Sequence, residues 1–235
     1  MRTLGIIPAR YASTRFPGKP LIEIKGISMV QRVYQQAQLA GIFEDIIVAT
    51  DDERIYNHVH AFGGRAVMTS SNHKSGTDRC GEVIGMQGMD HDVVFNIQGD
   101  EPFIQPEQLQ LLHSAFQHAD AGIVTLVKKI EDPQDIQNPN CVKATFSLQG
   151  KALYFSRSPI PYNRNTTDRY FRHIGLYAYR RNVLQRLIQL APSPLEQAES
   201  LEQLRWLENG FSIHVLETHL ETIGIDTPED LLKIN

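Results

Sequence analysis

Cysteine is scarce in this chain of 235 residues: only Cys80 and Cys141, far apart and in no Cys-x-x-Cys arrangement. Free thiols in a reducing cytoplasm are the simpler reading, and a single disulfide is the alternative. No apolar run approaches the roughly 20 residues needed to cross a bilayer. The N-terminus enters a strand at once, with no signal-peptide pattern, so a cytoplasmic protein with no membrane partner is expected. Basic residues are not in surplus. Lys and Arg total 23 against 27 Asp and Glu, a net charge of -4, which argues against a general nucleic-acid binder. No Gly-x-Gly-x-x-Gly follows the first strand, and no Gly-x-x-x-x-Gly-Lys-Ser/Thr occurs, so the dinucleotide and P-loop fingerprints are both missing. A glycosyltransferase Asp-x-Asp at a strand end is missing too.

What is present suits one soluble α/β domain, or a domain with a modest lobe. Hydrophobic residues make up 41% and charged residues 21%, ordinary for a globular protein. Strands are expected at Leu4–Ile7, Ile46–Ala49, Ala66–Met68, Val93–Ile97 and Ile123–Val127. Between them, Ser28 to Gln31 reads as a capping box opening a helix to about Leu39. Thr50 to Glu53 reads as another, with its helix ending at Gly63-Gly64. Further helices are expected near Gly76–Met86 and, behind Pro106 as a first helical residue, to Phe116. This alternation implies a parallel sheet with helices on both faces. From about residue 140 to 179 the pattern becomes β-rich, with strands at Val142–Phe146, Ala152–Phe155 and Ile174–Tyr179 and a loop from Ser158 to Arg172. It reads as a lobe, lid or oligomer contact. Helices return at Arg181–Leu190 and Glu196–Glu208, then a strand at Ile213–Leu216 and a last helix at Pro228–Ile234.

Cations are placed locally. Directly after the first strand, Arg10, Arg15 and Lys19 sit among Ser, Thr and Gly. Such a loop suits a polyphosphate, because cationic side chains neutralise phosphate oxygens and small residues let backbone N–H groups approach. A solvated basic loop is the bland alternative. Strand carboxyl ends are where open α/β sheets bind ligands, which favours the first reading. After the fourth strand, Gln98-Gly99-Asp100-Glu101-Pro102 offers carboxylates suited to Mg²⁺, or else a polar turn. Near the C-terminus, Thr227 fits an N-cap with Pro228 behind it, which leaves Asp226 available for a second metal ligand. Asp226 as a plain cap is the alternative. Ser75-Gly76-Thr77-Asp78-Arg79 is either a nucleotide cradle at a helix N-terminus or an ordinary cap with a solvated Arg. Thr50, Asp51 and Asp52 read as capping and first-turn acids. Arg157, His173, Tyr177, Glu202 and Gln203 carry no spacing that lifts them above packing or a solvent-facing helix.

Together, Ile7 to Arg15, Pro17-Gly18-Lys19-Pro20-Leu21, Ser75 to Arg79, Gln98 to Pro102, His173-Ile174-Gly175, Leu201-Glu202-Gln203-Leu204-Arg205 and Ile225 to Leu231 resemble the 3-deoxy-manno-octulosonate cytidylyltransferase (CMP-Kdo synthetase) family. The motifs recur in order along nearly the whole chain. The resemblance implies a single Rossmann-like nucleotidyltransferase domain over 1–235. Its three-layer α/β fold would carry a mostly parallel sheet and a β-rich sugar-binding and dimerisation lobe at about 140–179. It implies a homodimer that joins CTP to Kdo, giving CMP-Kdo and diphosphate for lipopolysaccharide. It assigns catalysis to Lys19, Arg10, Arg15, Asp100 and Asp226, and Mg²⁺ to Asp100 and Asp226. Ala9, Arg10, Ser13, Arg15, Lys19, Ser75, Gly76, Thr77, Arg79 and Gln98 would bind the nucleotide. Gln98, Arg157, His173, Tyr177, Glu202 and Gln203 would contact the sugar acid. The same chemistry on sialic acid is the nearest rival. A non-catalytic nucleotide-sugar sensor is a rival of another class, and Asp100, Asp226 and the three cations argue against it.

Overall fold

The apolar run behind Met1-Arg2 forms an almost wholly buried strand, β1 (Thr3–Ala9), in the computed structural model of the chain. The structure describes residues 1–12, 16–117, 121–165, 169–221, 224–225 and 230–231. Its contacts divide into two compact units, Met1–Gln110 with Glu221–Asn235, and Leu111–Leu220.

In the first unit a two-residue turn, Lys25-Gly26, joins β2 (Glu23–Ile24) to β3 (Ile27–Ser28). Both turn residues take positive φ, 51° and 77°, as a twist-matched hairpin turn requires. Ser28 then caps α1 (Met29–Leu39) by accepting from Gln31 N–H. β4 (Asp45–Thr50), α2 (Glu53–Ala61), β5 (Ala66–Met68), α3 (Gly76–Gly85) and β6 (Val93–Asn96) follow in strict alternation. α4 (Pro106–Ala115) runs on past the boundary at Gln110. β1 pairs in parallel with β4 on one side and β6 on the other, and β4 pairs in parallel with β5. Parallel pairing brings the carboxyl ends of β1, β4 and β6 to one edge, with Ala9 beside Thr50 and Ile6 beside Asn96.

The second helix is capped two residues later than its capping-box pattern suggests. Thr50 is fully buried as the last residue of β4, so Asp52 caps α2 by accepting from Arg54 N–H. Asp51 is left between strand and cap.

In the second unit β7 (Ile123–Lys129) leads through α5 (Pro133–Gln137), a short helix absent from the sequence expectation, to β8 (Lys143–Phe146), β9 (Ala152–Ser156) and β10 (Phe171–Arg180). α6 (Arg181–Leu187), α7 (Pro194–Glu199), α8 (Glu202–Glu208) and β11 (Ile213–Glu217) complete it. β11 joins β7 in parallel; β10 is antiparallel to β7 and to β8, and β8 to β9. An isolated bridge from Lys151 to His214 curls the β9 end back to β11. The helix expected over Glu196–Glu208 is two helices. Ser200 takes a left-handed φ of 51° and ends α7, and Arg205 in α8 then pairs with Glu196 in α7. β10 also starts earlier than expected, because Phe171 and Arg172 pair with Lys129 and Lys128. The last helix, Pro228–Ile234, lies almost wholly outside the described residues, of which Asp230 and Leu231 remain. Among the described residues no helix is long and apolar enough to cross a membrane.

One glycine sets the close approach of β1 and the segment after β6. A Cβ on Gly99 would stand 2.8 Å from the Pro8 carbonyl oxygen. Gly99→Ala is therefore expected to destabilise the fold by about 1–3 kcal/mol, read by denaturant titration; an unchanged midpoint would contradict this packing.

Candidate active site

A cavity of about 420 Å³ opens at the carboxyl ends of β1 and β6 in the first unit. Ala9, Arg10, Lys19, Gln98 and Asp100 line it, as do Ser75, Gly76 and Arg79 at the start of α3. Sequence motifs separated by up to 91 positions (Ala9 to Asp100) thus meet around one space. Thr77 is buried in the first turn of α3 and is not among the lining residues. Lys74, which carries no motif, lines the cavity too. Ser13, Arg15 and Asp226 lie outside the described residues.

The cavity is cationic by construction. Arg79 is fully buried rather than solvated; its Nη2 donates to Asp51 at 3.1 Å and its Nη1 to the Thr69 hydroxyl. That hydroxyl in turn donates to the Thr50 carbonyl. Arg10 stands near enough to be repelled by Arg79. Burial first, and Arg79 second, lower its pKa, while Asp51 and Asp78 oppose both. The guanidinium stays charged all the same, given its very high starting value. Among the described residues, the buried Arg10 Nη2 and Arg79 Nε have no acceptor. A buried donor without a partner is costly, and an anionic ligand with many oxygens would satisfy both.

Lys19 and Asp100 form the other half. Gly18, at φ 70°, opens a short 3-10 turn, Lys19–Leu21, that sends Lys19 inward. Its ammonium donates to Asp100 Oδ2 and to the Ile225 carbonyl, both at 2.8 Å. Ile225 is fully buried in an apolar cluster with Ile24 and Met29, against which Phe16, Phe103 and Leu231 pack. Its own N–H donates to the Asp100 carbonyl at 3.0 Å. The segment ahead of Asp226 is therefore stitched to Asp100 by apolar burial, one backbone hydrogen bond and the Lys19 ammonium that bridges the Asp100 carboxylate and the Ile225 carbonyl.

The second unit holds Arg157, His173, Tyr177, Glu202 and Gln203. β10 bulges between Ile174 and Tyr177, where three steps (174 to 177) meet one step on β7 (126 to 125). The bulge aims the Ile174 and Leu176 carbonyls at the Thr125 hydroxyl, 3.2 and 2.9 Å away. The hydroxyl proton serves those carbonyls, so the hydroxyl oxygen accepts from His173 Nε2 at 3.0 Å. The His173 ring packs 5.0 Å from Phe155 and 5.3 Å from Tyr177, though part of the residue still reaches solvent. Burial pushes its imidazole from 6.5 down to about 3, so it is neutral at neutral pH. Tyr177 stands edge-on to Trp206, centroids 5.0 Å apart. Burial first, then the Glu202 charge, raise its phenol well above the usual value. Gln203 is buried on α8 with Leu204 and Trp206, not on a solvent face. Arg157 donates to the carbonyls of Glu199 (2.8 Å), Pro139 (3.0 Å) and Ser200 (3.5 Å).

A cytidylyltransferase family model matches residues 4–221. The 3-deoxy-manno-octulosonate cytidylyltransferase of Bacteroides thetaiotaomicron is 55% identical, over 98% of this chain and 96% of its own. That of Cytophaga hutchinsonii is 52% identical over 98% and 95%. The chain belongs to the 3-deoxy-manno-octulosonate cytidylyltransferase family. Among solved structures, CMP:2-keto-3-deoxy-manno-octonic acid synthetase complexed with CTP superposes with a TM-score of 0.94 at 44% identity, covering 100% of this chain and 97% of that one. A cytidylyltransferase from Leptospira borgpetersenii shares the fold alone, at TM-score 0.64 and 17% identity over 98% of this chain and 83% of that one.

In this member of the family Asp51 is the residue that sequence reasoning passed over. Asp52 alone suffices as the cap, and an acid left over between a strand end and a cap was the available signal. His173 generates a pH prediction. Its pKa in the fold lies below 6.5, so below pH 6.5 the unfolded chain takes up a proton that the fold refuses. Stability is full above that pH and drains away as pH falls toward 3. The melting temperature of His173→Asn should fall less between pH 7 and pH 4 than that of the unaltered protein; parallel curves would contradict the buried neutral imidazole.

Proposed function

We propose that the chain transfers the cytidylyl group of CTP to Kdo, giving CMP-Kdo and diphosphate for lipopolysaccharide biosynthesis. The observation that carries this is the cavity lined by Arg10, Lys19, Lys74 and Arg79 together with the Asp100 carboxylate. The CTP held by the 44% identical synthetase supports the choice of nucleotide.

The reaction forms a bond between the anomeric hydroxyl oxygen of the sugar acid and the α-phosphorus. The bond from that phosphorus to its bridging oxygen breaks, and diphosphate leaves with the electron pair while the hydroxyl proton passes to solvent. Such a transfer rests on positioning and charge neutralisation more than on covalent catalysis. Arg10 and Arg79 would donate to triphosphate oxygens with the N–H groups that lack acceptors. Ser75 and Gly76 present the N-terminal end of α3 to the same ligand. Arg15 and Ser13 belong to this nucleotide set by the family motif.

Asp100, with Asp226 next to Ile225, would hold Mg²⁺. The donor chemistry fits, since the Asp100 carboxylate and the Ile225 carbonyl already share one cation, the Lys19 ammonium, and Mg²⁺ takes hard oxygen ligands. When bound, Mg²⁺ supplies charge neutralisation and Lewis-acid polarisation at the phosphates. Lys19 would then exchange Asp100 for a triphosphate oxygen.

The family resemblance assigns the sugar acid to Gln98 and to Arg157, His173, Tyr177, Glu202 and Gln203. His173, being neutral, offers it a hydrogen bond and no charge. Arg157 would meet the carboxylate by giving up the long contact to the Ser200 carbonyl, its weakest. A cytoplasmic homodimer completes the reading on the resemblance alone.

Diphosphate release decides it. CTP with Kdo should turn over, while the other nucleoside triphosphates, and CTP with sialic acid, should not. Faster release with sialic acid, or none with Kdo, would overturn the assignment. Asp100→Ala and Asp226→Ala should each cut turnover at least about a hundredfold with the fold retained. Near-normal release from either would sink the metal assignment.

A further inference from the structure

Beside the cavity, α2 carries an arginine that no step above uses. Arg54 Nε and Nη2 donate to the two carboxylate oxygens of Asp52, at 2.9 and 2.6 Å, and its backbone N–H donates to Asp52 Oδ1 at 2.9 Å. A two-point fork of this kind fixes the plane of the guanidinium. That plane lies over the ring of Tyr11, with Cζ 3.3 Å from the ring centroid. Tyr11 is the residue after Arg10, and its carbonyl accepts the Gly18 N–H at 2.9 Å, closing the segment 11–18 at its base. The Tyr11 ring also packs on Gly18 so closely that a Cβ there would meet it at 3.2 Å. The residue after Gly18 is Lys19. The contacts thus run Asp52, Arg54, Tyr11, Gly18, with Arg10 next to Tyr11 in the chain and Lys19 next to Gly18.

We propose that Arg54 is a positioning residue for nucleotide binding, acting through Tyr11 and Gly18 to hold Arg10 and Lys19 in register with the cavity. It touches no phosphate in this scheme. The proposal rests on the cytidylyltransferase reading for its ligand, CTP. A surface Asp–Arg pair at a helix start would otherwise contribute little. Nor would helix capping need the guanidinium over an aromatic face, an arrangement that is itself attractive. More than half of the Arg54 side chain is in solvent, so its loss should leave the fold intact.

The test is calorimetric binding of CTP to the whole protein, alongside steady-state kinetics. Arg54→Met should weaken CTP binding about two- to fivefold, as loss of an exposed cation–aromatic contact implies. The KM for CTP should rise by the same factor, with kcat and the KM for Kdo unchanged. Arg54→Lys, which keeps a cation near the ring but not the fork, should recover part of the loss. Tyr11→Leu should weaken CTP binding similarly, and the double variant no further, because the two act in series. Unchanged CTP affinity in Arg54→Met, or effects of Arg54→Met and Tyr11→Leu that multiply, would overturn the proposal. A lower melting temperature with unaltered CTP affinity would make Arg54 a cap residue only, which also overturns it. The binding arm needs no turnover. Absence of Kdo-dependent turnover in the unaltered protein would count against the function and leave this test standing.

Discussion

The first unit depends on where one ammonium sits. Lys19 is held between the Asp100 carboxylate and the Ile225 carbonyl, and that three-way contact joins the first loop, the segment after β6 and the returning C-terminal segment. Each is brought there by a different force. Gly18 turns the chain toward the cavity, Gly99 permits backbone approach to Pro8, and burial of Ile225 beside Ile24 and Met29 anchors the C-terminal return. Lys19 is largely shielded from water while the Asp100 side chain is 35% exposed, so removing the carboxylate alone would leave a poorly hydrated ammonium short of its counter-charge.

The remaining cations are balanced differently. Arg79 is paid for by Asp51 and by a hydroxyl, whereas Arg10 and Arg79 each retain a buried N–H with no acceptor among the described residues. A site that keeps donors unsatisfied and like charges adjacent is poised for an anion. Stability given up there is recovered on binding, as proteins commonly trade fold stability for function at sites. The second unit uses the opposite device. His173 and Tyr177 are held by packing and by burial that keeps both rings uncharged, so these two side chains can offer a ligand shape and hydrogen bonds but no charge.

Much of this was legible in the sequence. The strand–helix alternation of the first half, the Ser28 and Ser75 caps and the placing of Arg10, Lys19 and Asp100 at strand carboxyl ends follow from local pattern and from parallel-sheet geometry, whereas Arg79 joined them only through the family resemblance. What was not legible depends on tertiary context. Thr50 became a strand residue because its neighbours on β1 and β5 bury it, which moved the cap to Asp52 and freed Asp51. Ser200 broke a helix that its flanking pattern would continue, because a left-handed residue there lets Arg205 reach Glu196. Gln203 went inward with Trp206, although its neighbours read as a polar helix face. The stack of Arg54 on Tyr11 joins residues 43 positions apart (54 − 11), and no spacing rule reaches that far.

The proposal to test is that the Asp100 carboxylate, which holds the Lys19 ammonium, is the group that would hold Mg²⁺ together with Asp226. Calorimetric titration of Mn²⁺, as a probe for Mg²⁺, into nucleotide-free protein tests it directly. Lys19→Met removes the resident cation, so the account predicts that Mn²⁺ binds this variant roughly three- to tenfold more tightly than the unaltered protein. Equal or weaker binding would contradict it.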